Sequence, residues 1–261
     1  MEIRQDKNTY YSSLSKNEAK ILESVRSADL LVFGVKEIET ISDLTKISIH
    51  NTLSNLVRKD HVVRIKRDTY ALEDVFFDST FKVMTEAVKP SYISFWTALS
   101  YYGFTEQQVQ TIQLVSTKQF DDLKVRNKKV EISTFDPNKF FGYVDIDGMI
   151  IAEREKALID SLYMMHKCGG LDEYVKCIKN GFEILDKDRL ERYMIRFNNK
   201  TLVSRIGFLL DELGLTDRVF LDQLKKYVSK SYVLLDPHGS TIEGHNNRWK
   251  IKINRDKEAL L

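Results

Sequence analysis

The sequence predicts a two-domain α+β protein. Its 261 residues are enough for two domains, and the 43% apolar and 30% charged content is typical of a globular chain. Three prolines and eleven glycines argue against long disordered linkers. Apolar residues recur at helical spacing in some stretches and at strand spacing in others. Together these observations favour helices and sheets in separate segments of one folded chain.

The elements divide the chain into three expected segments. Residues 1–75 should form a small first domain, and residues 76–90 should form an apolar connection that docks one domain on the other. Pro90 marks the break, since the residue before a proline is disfavoured in a helix. Residues 91–261 should form a larger α+β domain with a small, mostly antiparallel sheet and several helices.

The first helix is signalled by a capping box. Ser15 and Glu18 stand three residues apart, where each side chain can satisfy the other residue's unpaired amide. A short apolar run at 30–35 follows, and we expect it to form a small strand beside a later hairpin.

The stretch 38–72 predicts a short helix, a turn, a second helix and a hairpin. Ser48 can cap the second helix through its hydroxyl. The apolar residues of this helix share one face, which can pack on the preceding helix through Ile41 and Leu44; they are Ile49, Leu53, Leu56 and Val57.

The opposite face of the second helix is polar. It carries His50, Asn51, Thr52, Ser54, Asn55 and Lys59. Short polar side chains can donate to and accept from base edges in a major groove. We expect base contacts from four of them: His50, Asn51, Ser54 and Asn55.

Positive charge concentrates in the second helix and the hairpin. Six Lys or Arg residues face a single Asp between Lys46 and Arg67, whereas six face eight acidic residues in 1–45. These six cations are the expected phosphate contacts: Lys46, Arg58, Lys59, Arg64, Lys66 and Arg67. Helix, helix and basic hairpin in this order indicate a winged helix-turn-helix that binds double-stranded DNA.

A second basic run lies in the larger domain. It comprises Lys118, Lys124, Arg126, Lys128 and Lys129. We expect a solvated hairpin there; the alternatives are an auxiliary contact to DNA phosphates and a contact to acidic RNA or protein.

Other constellations indicate no enzyme, metal or cofactor. Glu153, Glu155, Lys156 and Asp160 have the spacing of ordinary surface or domain-fixing ion pairs on a helix. Asp236, His238 and His245 lack a further ligand at a recognised spacing, so a polar turn is expected there. Cys168 and Cys177 are expected to be buried free thiols.

The sequence also bears on the compartment. No run of about 18 apolar residues is present, so no membrane span is expected. The N-terminal residues lack the apolar core of a secretory signal. We therefore expect a cytoplasmic protein.

Several later stretches resemble one family. The residues that carry the resemblance are Tyr92 and Ser94 with Ala98-Leu99 and Tyr101-Tyr102-Gly103, then the strand 112–117, Gly142-Tyr143, Ala152-Glu153, the run 155–160, the run 205–210, Leu235-Asp236-Pro237, Arg248-Trp249 and Asn254. In this order they resemble the AbiEi-type antitoxin and transcriptional regulator family over most of the chain.

The resemblance implies a function for each domain. It implies that the N-terminal domain binds DNA and represses its own operon, and that the protein pairs with a nucleotidyltransferase-like toxin in a type IV toxin–antitoxin system. The operator is expected to be an inverted repeat bound by a homodimer. The alternatives are a protein-interaction module without specific DNA recognition and, third, a nucleotidyltransferase-related enzyme.

Overall fold

The computed structural model describes residues 14–239 and 241–256 and confirms an α+β fold. The chain divides into two compact units. Unit 1 comprises residues 1–89 and 122–130, and unit 2 comprises residues 90–121 and 131–261. Residues 122–130 therefore group with the N-terminal unit, although the sequence led us to include them in the C-terminal domain. The predicted domain ends at residues 1 and 261 lie outside the described residues.

From residue 14 onward, unit 1 contains three helices, followed by a two-stranded hairpin and two short helices. Their bounds are α1 Lys16–Ser27, α2 Val35–Ile41, α3 Lys46–Arg58, β1 Val62–Lys66, β2 Thr69–Leu72, α4 Glu73–Asp78 and α5 Thr80–Ala87. The predicted capping box is confirmed, since Ser15 and Glu18 satisfy each other's amides at the start of α1. The expected strand at 30–35 reduces to a bridge between Phe33 and Tyr70 of β2, because α2 already begins at Val35.

The core of unit 1 forms where α1, α2 and α3 meet the hairpin. It contains Ile21, Val25, Ile38, Ile49, Leu53, Leu56 and Val62, all 0% exposed. The predicted packing residues Ile41, Leu44 and Val57 lie at the edge of this core and are partly buried. The helical spacing of the apolar residues therefore predicted the buried face of α3 correctly.

Unit 2 is built on a sheet. The six strands of this sheet are β3 Ser91–Ile93, β4 Thr111–Ser116, β5 Leu123–Val125, β6 Lys128–Thr134, β7 Tyr143–Ile146 and β8 Met149–Ala152. Strand β5 and the start of β6 are assigned to unit 1, and the other strands to unit 2. The strand order is β5-β6-β4-β3-β8-β7. Strand β3 pairs antiparallel with β4 and parallel with β8. The turn expected at Asp147-Gly148 joins β7 to β8, and both residues have positive φ angles, 51° and 85°.

Most helices of unit 2 come in the second half of its sequence, and a small three-stranded sheet follows them. The remaining elements are α6 Phe95–Tyr101, α7 Arg154–Tyr163, α8 Leu171–Gly181, α9 Lys187–Phe197, α10 Lys200–Glu212, α11 Arg218–Lys225, β9 Val233–Leu234, β10 Gly244–Asn246 and β11 Ile251–Ile253. The order in the second sheet is β10-β11-β9.

Several residues behind the family resemblance are packing residues in unit 2. Trp249 is fully buried against Gly207 of α10, where a Cβ atom would collide with the indole ring. Its Nε1 donates to Asp211, at 2.8 Å. Cys168 and Cys177 are buried free thiols, as expected. Burial raises the pKa of Cys177 to about 12.

Candidate nucleic-acid interface

The candidate interface is centred on α3. The N-cap of this helix lies three residues earlier than the sequence suggested. Thr45 is the N-cap, and its Oγ1 accepts from the Ser48 amide at 3.4 Å. Ser48 was expected to be the cap but lies in the first turn, and its Oγ accepts from Asn17 of α1 at 3.1 Å. Both residues carry a hydroxyl, so only the extended backbone of Thr45, with φ −71° and ψ 153°, decides between them.

The face of α3 opposite the core is exposed. His50, Asn51 and Ser54 are all exposed, and the side chains of His50 and Asn51 form no hydrogen bond with the described residues. Ser54 Oγ donates to the backbone carbonyl of His50 at 2.9 Å. Thr52, which we had placed on the polar face, is only 6% exposed. It lies three residues after Ile49, so it falls within the buried stripe.

Two further predicted contacts at the end of α3 have partners within unit 1. Asn55 is half-buried, and its Oδ1 accepts from Arg58 Nη2 at 3.0 Å. Lys59 Nζ lies 2.8 Å from Oε2 of the buried Glu18. This ion pair joins the end of α3 to the start of α1, so Lys59 has a structural role where we had expected a phosphate contact.

Glu18 is a buried carboxylate held by several donors. Burial alone would raise its pKa, but the hydrogen bonds from Lys59 and Ser15 outweigh burial, so the pKa of Glu18 lies below its ordinary value. The ionised form is therefore the one that stabilises the packing of α1 against α3.

The hairpin β1–β2 projects a basic tip. Arg67 and Asp68 form the turn between Lys66 and Thr69, and Asp68 has a positive φ of 52°. Asp68 Oδ1 accepts from the Val35 amide at 3.0 Å, which attaches the turn to the start of α2. Arg64 and Arg67 are exposed, and Lys66 is half-buried. The position of this tip is thus fixed by a specific side-chain contact.

Several acidic side chains of unit 1 pair with other cations. Asp43 pairs with Lys20, Asp74 pairs with Arg26, and Asp60 and Glu73 both pair with Arg126. In contrast, Lys46, Arg64 and Arg67 are among the exposed cations of unit 1 that form no ion pair with any described residue. Unit 1 therefore carries positive charge on α3 and on the hairpin tip that its own carboxylates do not neutralise.

The five residues of the auxiliary basic run lie in different environments. Arg126 bridges Asp60 and Glu73 of unit 1, at 2.6 Å and 2.9 Å, so it fixes the β5–β6 hairpin in place. Lys124 and Lys129 are exposed and stand opposite each other in that hairpin, with Lys128 half-buried beside them. Lys118 is exposed but belongs to unit 2.

Three charged residues of α7, Glu155, Lys156 and Asp160, are buried, whereas Arg154 is exposed. Lys156 and Asp160 are both 0% exposed and form an ion pair; of the surface or domain-fixing pairs that we expected, this pair is not at the surface. The Asp160 carboxylate also accepts from Tyr92 Oη at 3.0 Å and Ser94 Oγ at 2.8 Å. Burial lowers the pKa of Lys156 and raises the pKa of Asp160, while their mutual attraction opposes both shifts.

Aromatic rings enclose the Lys156 ammonium. It lies 5.1–5.3 Å from the centroids of four rings, which belong to Tyr92, Phe135, Phe141 and Phe197. Glu155, also buried, accepts from the Asp186 amide at 2.8 Å. Glu153 is half-buried and pairs with Arg189 at 2.8 Å. Several residues of the run that supported the family resemblance therefore belong to the interior of unit 2.

The polar turn near the C-terminus has the expected form. Asp236 Oδ1 accepts from the His238 amide at 2.8 Å, and Asp236 also pairs with Arg255. Within residues 14–239 and 241–256, no three His, Cys, Asp or Glu side chains are grouped so that they could hold a metal ion. None of the helices in the described part of the chain combines the length and apolar character needed to cross a membrane.

Ile47 is an exposed apolar residue of α3 that the sequence interpretation missed. It lies in the first turn of α3 and is 76% exposed. Its signal was present in the sequence, because Ile47 falls outside the helical stripe formed by Ile49, Leu53 and Leu56.

Comparison with known proteins gives a fold but no family. No protein-family model matches the sequence, and no curated protein matches it either. The structure is similar to the crystal structure of the RV2827C protein from Mycobacterium tuberculosis, with a TM-score of 0.65 and 11% sequence identity over 91% of each chain. At that identity the likeness is one of fold.

Proposed function

We propose that unit 1 is a winged helix-turn-helix domain and that the chain is a sequence-specific transcriptional regulator that binds double-stranded DNA. The observation that carries this proposal is the exposed polar face of α3, with His50 and Asn51 unbonded in the described chain, beside the unpaired cations Lys46, Arg64 and Arg67. Free donors and acceptors next to unneutralised positive charge are what base and phosphate recognition require.

In this proposal α3 enters the major groove. His50, Asn51 and Ser54 reach base edges, and Asn55 contributes after it releases Arg58. Lys46, Arg64, Arg67, Arg58 and Lys66 contact phosphates, with the hairpin tip lying along an adjacent backbone or minor groove. Lys59 instead supports the domain through Glu18. One such domain covers a single half-site, so we propose a homodimer on an inverted repeat.

We further propose that the regulator belongs to the AbiEi-type family and acts as the autorepressing antitoxin of a type IV pair. The support is the ordered set of motifs along the sequence, and its partner would be a nucleotidyltransferase-like toxin. Co-expression of this chain with the product of the adjoining gene tests the proposal. Relief of that product's toxicity is expected, and unchanged toxicity would contradict it.

DNA recognition is tested by fluorescence anisotropy on the chain's own upstream duplex and on a shuffled duplex of equal composition, at low and physiological salt. The proposal predicts tighter binding to the upstream duplex that persists at physiological salt, since base contacts add to the salt-sensitive phosphate term. Equal, salt-sensitive binding to both duplexes would contradict it.

The alternative function is a protein-interaction module. Exposed apolar side chains in unit 1 favour it, since Phe77 is 52% exposed in addition to Ile47. In that case Phe77→Ala would weaken capture of a protein partner, and DNA binding would show no sequence preference.

A further inference from the structure

One large apolar side chain of α3 is exposed on the proposed DNA-binding face. Ile47 is 76% exposed, whereas Ile49, two residues further along, is 0% exposed. No other large hydrophobic residue in the described ranges is as exposed as Ile47. Single exposed apolar residues are common on protein surfaces, so exposure alone does not define a contact.

Ile47 lies on the same face of α3 as the polar residues that we propose to contact bases. His50, Asn51 and Ser54 follow it by three, four and seven residues, so all four share one face of α3. The unpaired Lys46 is its immediate neighbour. Ile47 therefore stands at the N-terminal end of the same row of side chains that we propose to reach base edges.

Ile47 adds little to the stability of the fold. It lies outside the buried cluster of unit 1, so its apolar surface gains little from folding. Its β-branched side chain also loses rotamer freedom in a helix, which makes isoleucine a poorer choice than many polar residues at an exposed helical position. A partner that buries the side chain would explain its presence.

We propose that Ile47 recognises the 5-methyl group of a thymine in the major groove. This inference rests on the proposed function and assigns one base in the binding site. Among the four bases, thymine alone presents an apolar group in that groove, and apolar side chains contact it there. In this arrangement the neighbouring cations contact the DNA phosphates, and His50, Asn51 and Ser54 contact the adjacent bases.

The test removes the methyl group from the DNA. Anisotropy is measured on the upstream duplex made with thymidine and on the same duplex made with deoxyuridine, which keeps the hydrogen-bonding pattern and lacks the methyl. We expect the wild-type chain to bind the deoxyuridine duplex about 4-fold more weakly, the effect of one buried methyl group. Ile47→Ala should bind the thymidine duplex more weakly by a similar factor and should not distinguish the two duplexes.

Two variants serve as comparisons. Val219→Ala in α11 truncates another exposed apolar residue, 71% exposed, and should leave both affinities at wild-type values. Asn51→Ala should weaken binding to both duplexes while the wild-type ratio between them is retained. Because Ile47 is exposed, its truncation should not impair folding, which a melting curve verifies.

The outcomes separate this inference from the proposed function. If the wild-type chain prefers upstream over shuffled DNA but binds the thymidine and deoxyuridine duplexes equally, the assignment of Ile47 is wrong while DNA recognition stands. Independent, additive losses from Ile47→Ala and from methyl removal would also overturn the assignment. Absence of any preference for upstream DNA would overturn both.

Discussion

The cations of α3 and its hairpin and the buried cation of α7 lie in opposite environments. In unit 1, Lys46, Arg64 and Arg67 are exposed and form no ion pair with any residue in the described ranges. In unit 2, Lys156 is fully buried, paired with Asp160 and enclosed by aromatic rings. An exposed, unpaired cation is available to a polyanion, whereas a buried, paired cation is committed to the interior.

The largest effect that we expect comes from the buried cation. Lys156→Met should lower the free energy of unfolding by about 3–5 kcal/mol at pH 7, because it leaves the Asp160 carboxylate buried without its counter-charge. Asp160 already has a raised pKa, and loss of the ammonium raises it further. A raised folded-state pKa means that stability returns as pH falls, so the deficit should shrink towards pH 5. Urea unfolding at both pH values measures it.

The control for Lys156→Met is Lys176→Met, which removes an exposed lysine that pairs with Glu173 in α8. We expect a far smaller change in the free energy of unfolding, because a solvent-exposed pair contributes little to stability. A similar loss in both variants would contradict the distinction between buried and exposed cations.

The next effect concerns base recognition. Asn51→Ala should cost about 1–3 kcal/mol of affinity for the upstream duplex and relax the preference at one base pair, because a bidentate partner of the base is lost. Binding to shuffled DNA should change little. Titration of both duplexes, together with single-base variants of the site, measures the effect. Unchanged affinity for the upstream duplex would mean that α3 is placed incorrectly.

A smaller effect tests the link between α1 and α3. Glu18→Gln should lower the stability of unit 1 by about 1.5 kcal/mol near neutral pH, because the buried ionised acceptor of Lys59 and Ser15 is lost. The pKa of Glu18 is lowered in the folded state, so its contribution is present above the unfolded pKa and disappears as pH falls through the folded value. Wild-type and variant melting temperatures should converge in acid, whereas exposed Glu23→Gln should have no such effect. Parallel curves at all pH values would contradict this role.

The smallest expected change is at the hairpin tip. Arg67→Ala should weaken binding to upstream and shuffled DNA alike and reduce the slope of log affinity against log salt by about 1, the signature of one lost phosphate contact. Lys230→Ala removes an exposed charge from unit 2 and should leave the slope unchanged. If the two variants behave identically, net charge alone governs binding.

Sequence reasoning predicted the regular parts of the fold and fewer details of the site. The spacing of Ile49, Leu53 and Leu56 predicted the buried face of α3 because a regular helix repeats every 3.6 residues. The choice of Thr45 over Ser48 as cap depends on backbone angles, which the residue types of two nearby hydroxyl residues do not reveal. The sequence also did not reveal which distant side chains pair in the fold. Lys59 and Glu18, for example, form an ion pair although they are 41 residues apart.

The charged run of α7 shows the same limit. Its spacing predicted an ion pair between Lys156 and Asp160 correctly, but not that the pair is buried. Burial depends on the rings of Phe135, Phe141 and Phe197, which come from distant parts of the chain. Local periodicity carries no information about such enclosure.

The most direct test of the contrast between the units is to map where DNA contacts the chain. The upstream duplex, with bromouracil in place of thymine, is photo-crosslinked to the protein at physiological salt, and the linked peptides are identified by mass spectrometry. We predict crosslinks in residues 46–58 and 62–72 that the shuffled duplex yields far less. Crosslinks confined to unit 2, or equal yields from both duplexes, would contradict the assignment of DNA recognition to α3 and its hairpin.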